Sequence, residues 1–182
     1  MKRIAASLLL GVLLATGSVG TAMANLPSSI VTPERITSAG PMSFQMFCAV
    51  SPDECRPCGA SKVALTETML AEVIRVNSRV NRAIRPRLDS PALQLWRINP
   101  SAGDCKSYVI SKRHALIAAG LPPSALRIAF VKTRRGDNHA VLVLKTDQGD
   151  LTLDNLTGEI RQFRQTGYRV VAMSGTNPKR WS

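Results

Sequence analysis

The 182 residues carry 24 Lys and Arg against 12 Asp and Glu, a formal charge of +12, with 45% apolar and only 4% aromatic residues. That length suits one domain with a sizeable core. The basic residues are scattered and too few aromatics interleave with them for a nucleic-acid surface, so the charge reads as a solvated exterior that would also tolerate acidic or membrane-associated polypeptides.

The chain opens on Lys2 and Arg3, an apolar run from Ile4 to Leu14, and Ala22-Met23-Ala24. This is the order of a secretory signal peptide cut after Ala24. Cleavage leaves 158 residues with a charge of +10, since Lys2 and Arg3 are the only charged residues lost. No later stretch approaches the roughly 18 to 20 continuous apolar residues of a membrane helix, so a chain that is not an integral membrane protein, periplasmic or secreted, is expected.

Residues 25–61 are rich in Pro, Ser and Gly and read as an irregular N-terminal arm on a core domain of residues 62–182. The arm holds Cys48, Cys55 and Cys58. An oxidising compartment makes a disulfide the default, with Cys48 to Cys55 ahead of Cys48 to Cys58. A zinc site would need a fourth ligand from His114 or His139, and a redox role for Cys55-Arg56-Pro57-Cys58 lacks a preceding strand.

Leu65, Met69, Val73, Val76, Val80 and Ile84 recur at helical spacing, with Glu67, Glu72, Arg75, Arg79 and Arg82 on the other faces, until Pro86. This predicts a core-packing helix without chemistry. A proline-rich linker over residues 85–100 offers Leu93, Leu95, Trp96 and Ile98 for packing.

Asp104 then has the character of an N-cap, opening a helix that runs to about Ala119 before Gly120 and Pro122. Cys105 becomes its first residue, where free N–H groups and the helix dipole favour a thiolate. Lys112 interrupts the apolar side of this helix, and its ammonium is expected to reach water. Beyond Pro123 the period becomes strand-like over residues 126–133, 139–146, 150–154 and 168–173, and the tail from Ser174 to Ser182 reads as frayed, with Trp181 available to anchor it. Helices followed by an antiparallel meander give an α+β class.

A thiolate nucleophile needs a base, and the base needs a group to orient it. His139 and Asp154 lie on successive predicted strands. Each also has an ordinary use, the histidine at a strand start and the aspartate in a turn before Asn155. Moreover, a two-residue loop at Gln148-Gly149 pairs Asp154 with Val143, about 13 Å along the strand from His139. Simple hairpin geometry does not bring the two together.

Gly103-Asp104-Cys105, His139-Ala140-Val141-Leu142 and Leu153-Asp154-Asn155-Leu156, in this order, resemble the three motif blocks of the bacterial transglutaminase-like cysteine proteinases. Val76-Asn77-Ser78-Arg79-Val80-Asn81 is similar to the family's VNxxVN helix, and Trp96 to its aromatic before the cysteine block; the likeness covers about residues 41 to 172. It implies a papain-like or transglutaminase-like core. It also implies Cys105 as nucleophile, His139 as general base and then acid, Asp154 orienting His139, and the Cys105 N–H as an oxyanion donor. The reaction would be acyl-enzyme formation from an amide in a protein or peptide, then hydrolysis, without a cofactor. A calcium-dependent branch that releases adhesins from the cell surface carries acidic residues just after its cysteine. Lys106 and Ser107 stand there in this chain, so no metal is expected. A catalytically silent binding module of the same fold and an acyl transferase to an amine are the rival readings.

Overall fold

The computed structural model describes residues 38–90 and 94–182. The signal-peptide residues and Leu93 lie outside them. The architecture is α+β: five strands form one sheet in the order β7-β6-β5-β4-β8, with β4 Leu126–Lys132, β5 Asn138–Thr146, β6 Gly149–Leu153, β7 Arg161–Gln162 and β8 Arg169–Met173. All neighbours in that sheet are antiparallel. The last strand leaves the meander and adds beside β4, closing the other edge.

Alternation along β4 and β5 divides the sheet into two apolar faces. Ile128, Ala140, Leu142 and Leu144 join the main core, whereas Ala129, Val131, Val141 and Val143 pack with Phe163, Tyr168 and Met173 on the other side. Two helices contribute to the main core. Helix α2, Glu67–Ala83, starts where the Thr66 side chain accepts the Met69 N–H and buries Val73, Val76 and Val80. Helix α3, Cys105–Ala118, starts at Asp104, whose side chain accepts the Lys106 N–H, and is buried on nearly every side from Lys106 to Arg113. Its weak amphipathicity in sequence follows from that central position.

The structure corrects several expectations. The arm is not irregular: Met42–Val50 forms helix α1, followed by a 3-10 turn over Pro52–Cys55. Phe44, Phe47 and Cys48 recur at three and four residues and are buried in the same core as α2 and α3. Cys48 is bonded to Cys55, and Cys58 is a free, exposed thiol. The tail is not frayed, and Trp181 is its anchor. Strand β9, Arg180–Trp181, pairs with β1, Ser38–Ala39, and Trp181 is fully buried against Phe44 and Phe130. Leu95, expected to pack, is exposed, while Trp96 is buried with its indole N–H on the Ser43 hydroxyl. Lys112 does not reach water: its side chain is 1% exposed.

The β5–β6 turn is a two-residue loop, as expected, but it lies one residue earlier than Gln148-Gly149. Thr146 pairs with Gly149, leaving Asp147 and Gln148 as the loop, and Gly149 adopts φ +114°, a conformation that suits glycine. The resulting register pairs Leu142 with Leu153. Continued by one residue, it would set Asp154 opposite Val141, only two residues from His139 instead of four.

Candidate active site

Three strand and helix ends meet at a cleft of about 820 Å³ whose walls include Cys105, His139, Phe130, Leu88, Asn155 and Leu156. Cys105 enters at the start of α3, half-buried, as the first helical residue after the Asp104 cap. Its N–H has no partner inside the helix and faces the positive end of the dipole. The preceding Gly103 is dictated by packing. A Cβ there would lie 2.6 Å from the Ser107 Cβ, closer than two carbon atoms can sit, so only glycine lets strand β3, Ala102–Gly103, which pairs with β2, Arg85–Pro86, approach the helix.

His139 follows the first residue of β5 and is 7% exposed. Its Nε2 lies 2.7 Å from Asp154 Oδ1, which leaves Nδ1 for the Cys105 sulfur. Burial opposes a charged imidazole, but the hydrogen bond and charge of Asp154, with the nearby Cys105 side chain, outweigh it, raising the His139 pKa to about 9. For Asp154 the balance runs the other way. Burial favours its neutral form, yet the His139 bond, the Leu156 N–H and the Tyr168 hydroxyl hold its pKa below the ordinary carboxylate value.

Asp154 is the most heavily anchored residue here. Oδ1 also accepts the Leu156 N–H at 3.0 Å, and Oδ2 accepts the Tyr168 hydroxyl at 2.6 Å. Its main-chain oxygen accepts Asn81 Nδ2 at 2.9 Å, and one turn earlier on α2 Asn77 Nδ2 reaches the Gly158 oxygen at 3.1 Å. The α2 helix, expected to be packing alone, therefore clips the 154–158 loop through two asparagines spaced i, i+4. Asn77 is fully buried, which the polar side chain at an otherwise apolar helix position could have signalled. Tyr168 had no such signal, because its contact with Asp154 depends on where β8 joins the sheet.

Charge is also arranged around the helix start. The Lys106 side chain, 7% exposed, pairs with Asp104 and lies 3.9 Å from Asp89, which itself pairs with Arg97 at 2.5 Å. Lys106 thus supplies the positive charge between two buried carboxylates. Among the described residues, no group of three or more His, Cys, Asp or Glu side chains could hold a metal ion. Zinc on Cys48, Cys55 and Cys58 finds no such cluster, and two of those sulfurs are spent in the disulfide.

The sequence over residues 34–182 matches the bacterial transglutaminase-like cysteine proteinases. No curated protein matches the chain. Among solved structures it is similar to calcium-bound LapG of Legionella pneumophila, at 23% identity and a TM-score of 0.52 over 58% of this chain and 64% of that one. EGTA-treated LapG of the same organism gives 24% identity and a TM-score of 0.51 over 58% and 62%. At that identity the likeness shows the fold, a transglutaminase-like α+β core, and it spans less than two thirds of LapG's own length.

Proposed function

The chain belongs to the bacterial transglutaminase-like cysteine proteinase family, a family of cysteine peptidases, and from that premise we propose an exported thiol peptidase working through Cys105, His139 and Asp154 without calcium. The observation that carries the site is the 2.7 Å bond from Asp154 to His139, which shares one cleft with Cys105. With its pKa raised to about 9, His139 keeps its proton at neutral pH and presents an imidazolium on the side of Cys105.

The thiolate attacks the amide carbonyl carbon, and the Cys105 N–H is the oxyanion donor. The C–N bond breaks as His139 gives its proton to the departing amine nitrogen. Water then attacks the thioester while His139 takes its proton; the C–S bond breaks, the acid leaves and the ion pair returns. Asp154 keeps Nε2 engaged throughout, so that Nδ1 serves the sulfur and the leaving group.

Lys106 motivates the calcium-free reading. Calcium is held by several oxygen ligands, and here the carboxylates of Asp104 and Asp89 already face an ammonium. No helix among the described residues is long and apolar enough to cross a membrane. With the Lys2-Arg3, apolar and Ala-Met-Ala order of residues 1–24, this supports a mature chain that begins at Asn25 in the periplasm or outside the cell. Terminal sequencing of the exported protein should therefore start at Asn25, and retention of residues 1–24 would refute export by cleavage.

The reaction is tested by iodoacetamide labelling in a Cys58→Ser background, which leaves one free thiol. Cys105 should label at pH 6, where an ordinary thiol is almost wholly protonated, equally fast with and without EGTA, and His139→Ala should abolish that advantage. Labelling no faster than a simple thiol would support the silent binding module instead. Loss of labelling in EGTA would restore a metal requirement.

A further inference from the structure

An orienting carboxylate needs only one good contact with its histidine, but Asp154 has a second oxygen that could turn the group about its own bond. Tyr168 takes that oxygen at 2.6 Å. Its ring also meets the His139 ring edge to face, with centroids 6.0 Å apart at 80°. One side chain therefore touches both members of the pair.

Tyr168 is itself held from two sides. Its N–H donates to the Thr166 hydroxyl at 3.1 Å, and Arg134 from the β4–β5 turn donates to the Thr166 oxygen at 3.0 Å. The residue stands just after the left-handed Gly167, φ +71°, which ends the short helix α4, Phe163–Thr166, and sends the chain into β8. The turn thus delivers the phenol to the back of the site.

Resting on the reading of the site given above, we propose that Tyr168 is a positioning residue of the reaction: its hydroxyl fixes the Asp154 carboxylate plane and its ring fixes the imidazole, so that His139 stays aligned on Cys105. The chemistry is that of a preorganised carboxylate, whose two oxygens are both hydrogen-bonded before substrate arrives. Other groups face the same pair: Lys112 from α3 acts on Asp154, while Arg161 of β7 and Arg134 act on Tyr168. Replacing Tyr168 by Phe removes one hydroxyl and leaves all of these in place.

The test is the pH profile of iodoacetamide labelling of Cys105, again with Cys58→Ser. Tyr168→Phe should slow labelling at pH 6 by about ten-fold and converge on wild type near pH 9, with little change in melting temperature. Asn81→Ala, which acts on Asp154 through its main chain from another element, should give a smaller loss of the same shape. If wild type labels rapidly at pH 6 and Tyr168→Phe matches it across the profile, this inference falls while the Cys-His-Asp reading stands. A uniform slowing at every pH, tracking lost folded protein, also overturns it. A wild type that labels like a simple thiol overturns the reading and this inference together.

Discussion

The molecule contains two histidine-carboxylate pairs, and they sit at opposite ends of the same helix. At the start of α3, His139 lies 2.7 Å from Asp154; near its end, His114 lies 2.5 Å from Glu54. In both a ring nitrogen meets a carboxylate oxygen, Nε2 in His139 and Nδ1 in His114. What differs is the setting. The His139 side chain is 6% exposed with a thiol on its far side, whereas that of His114 is 43% exposed and shares its carboxylate with Arg113. Arg113, wholly buried, donates to the Glu54 and Pro123 main-chain oxygens and thereby ties the disulfide-closed turn to the helix. One pair stands beside a thiol, as the proposed reaction requires; the other joins a turn to a helix.

The largest effect should separate the two at once. Cys105→Ala or His139→Ala should lower peptidase turnover by about 10³-fold or more, and His114→Ala should leave it within about two-fold. Comparable losses in both histidine variants would show that the pairs are not distinct in function. The next effect runs in reverse. Arg113→Met should destabilise the fold by about 3 kcal/mol, because the Glu54 carboxylate and two carbonyls lose a buried partner, while activity per folded molecule is kept. Denaturant melts and active-site titration read both quantities.

The smallest effect concerns Lys112, between the two ends. Burial lowers its pKa to about 7 and the Asp154 charge only partly opposes this. A lysine depressed in the folded state binds fewer protons there than when unfolded, so its contribution improves as pH rises from about 7 towards 10.5. His139 has the opposite sign: raised to about 9, it stabilises fully below about 6.5 and loses that contribution as pH passes 9. Lys112→Met should therefore raise stability by roughly 1 kcal/mol at pH 6 and by less at pH 9. An equal gain at both values would place the cost in packing and not in charge.

Much of the site could be read along the chain because its determinants are local. Asp104 caps the helix through its own side chain, Gly103 admits Ser107, and Cys105 follows directly. The disulfide was legible for the same reason, since Cys48 and Cys55 lie seven residues apart. Helix α1 was obscured because proline at its start and at the 3-10 turn, together with Ser and Gly around it, outweighed three buried positions. The closeness of His139 and Asp154 is hidden by a single residue of the turn: a loop at Asp147-Gln148 instead of Gln148-Gly149 moves every pairing of β6 by two.

By itself the sequence determined the cap, the place of Cys105 at the helix start, the order of helices before strands and the family, all of which depend on neighbouring residues or on motif order. Only the tertiary structure decided which histidine meets which carboxylate, that Tyr168 and Asn81 hold Asp154, and that Lys106 and Lys112 are buried. Those contacts join residues 14, 73 and more positions apart through strand register and the placement of β8, and no local periodicity encodes a distance that the sheet alone sets.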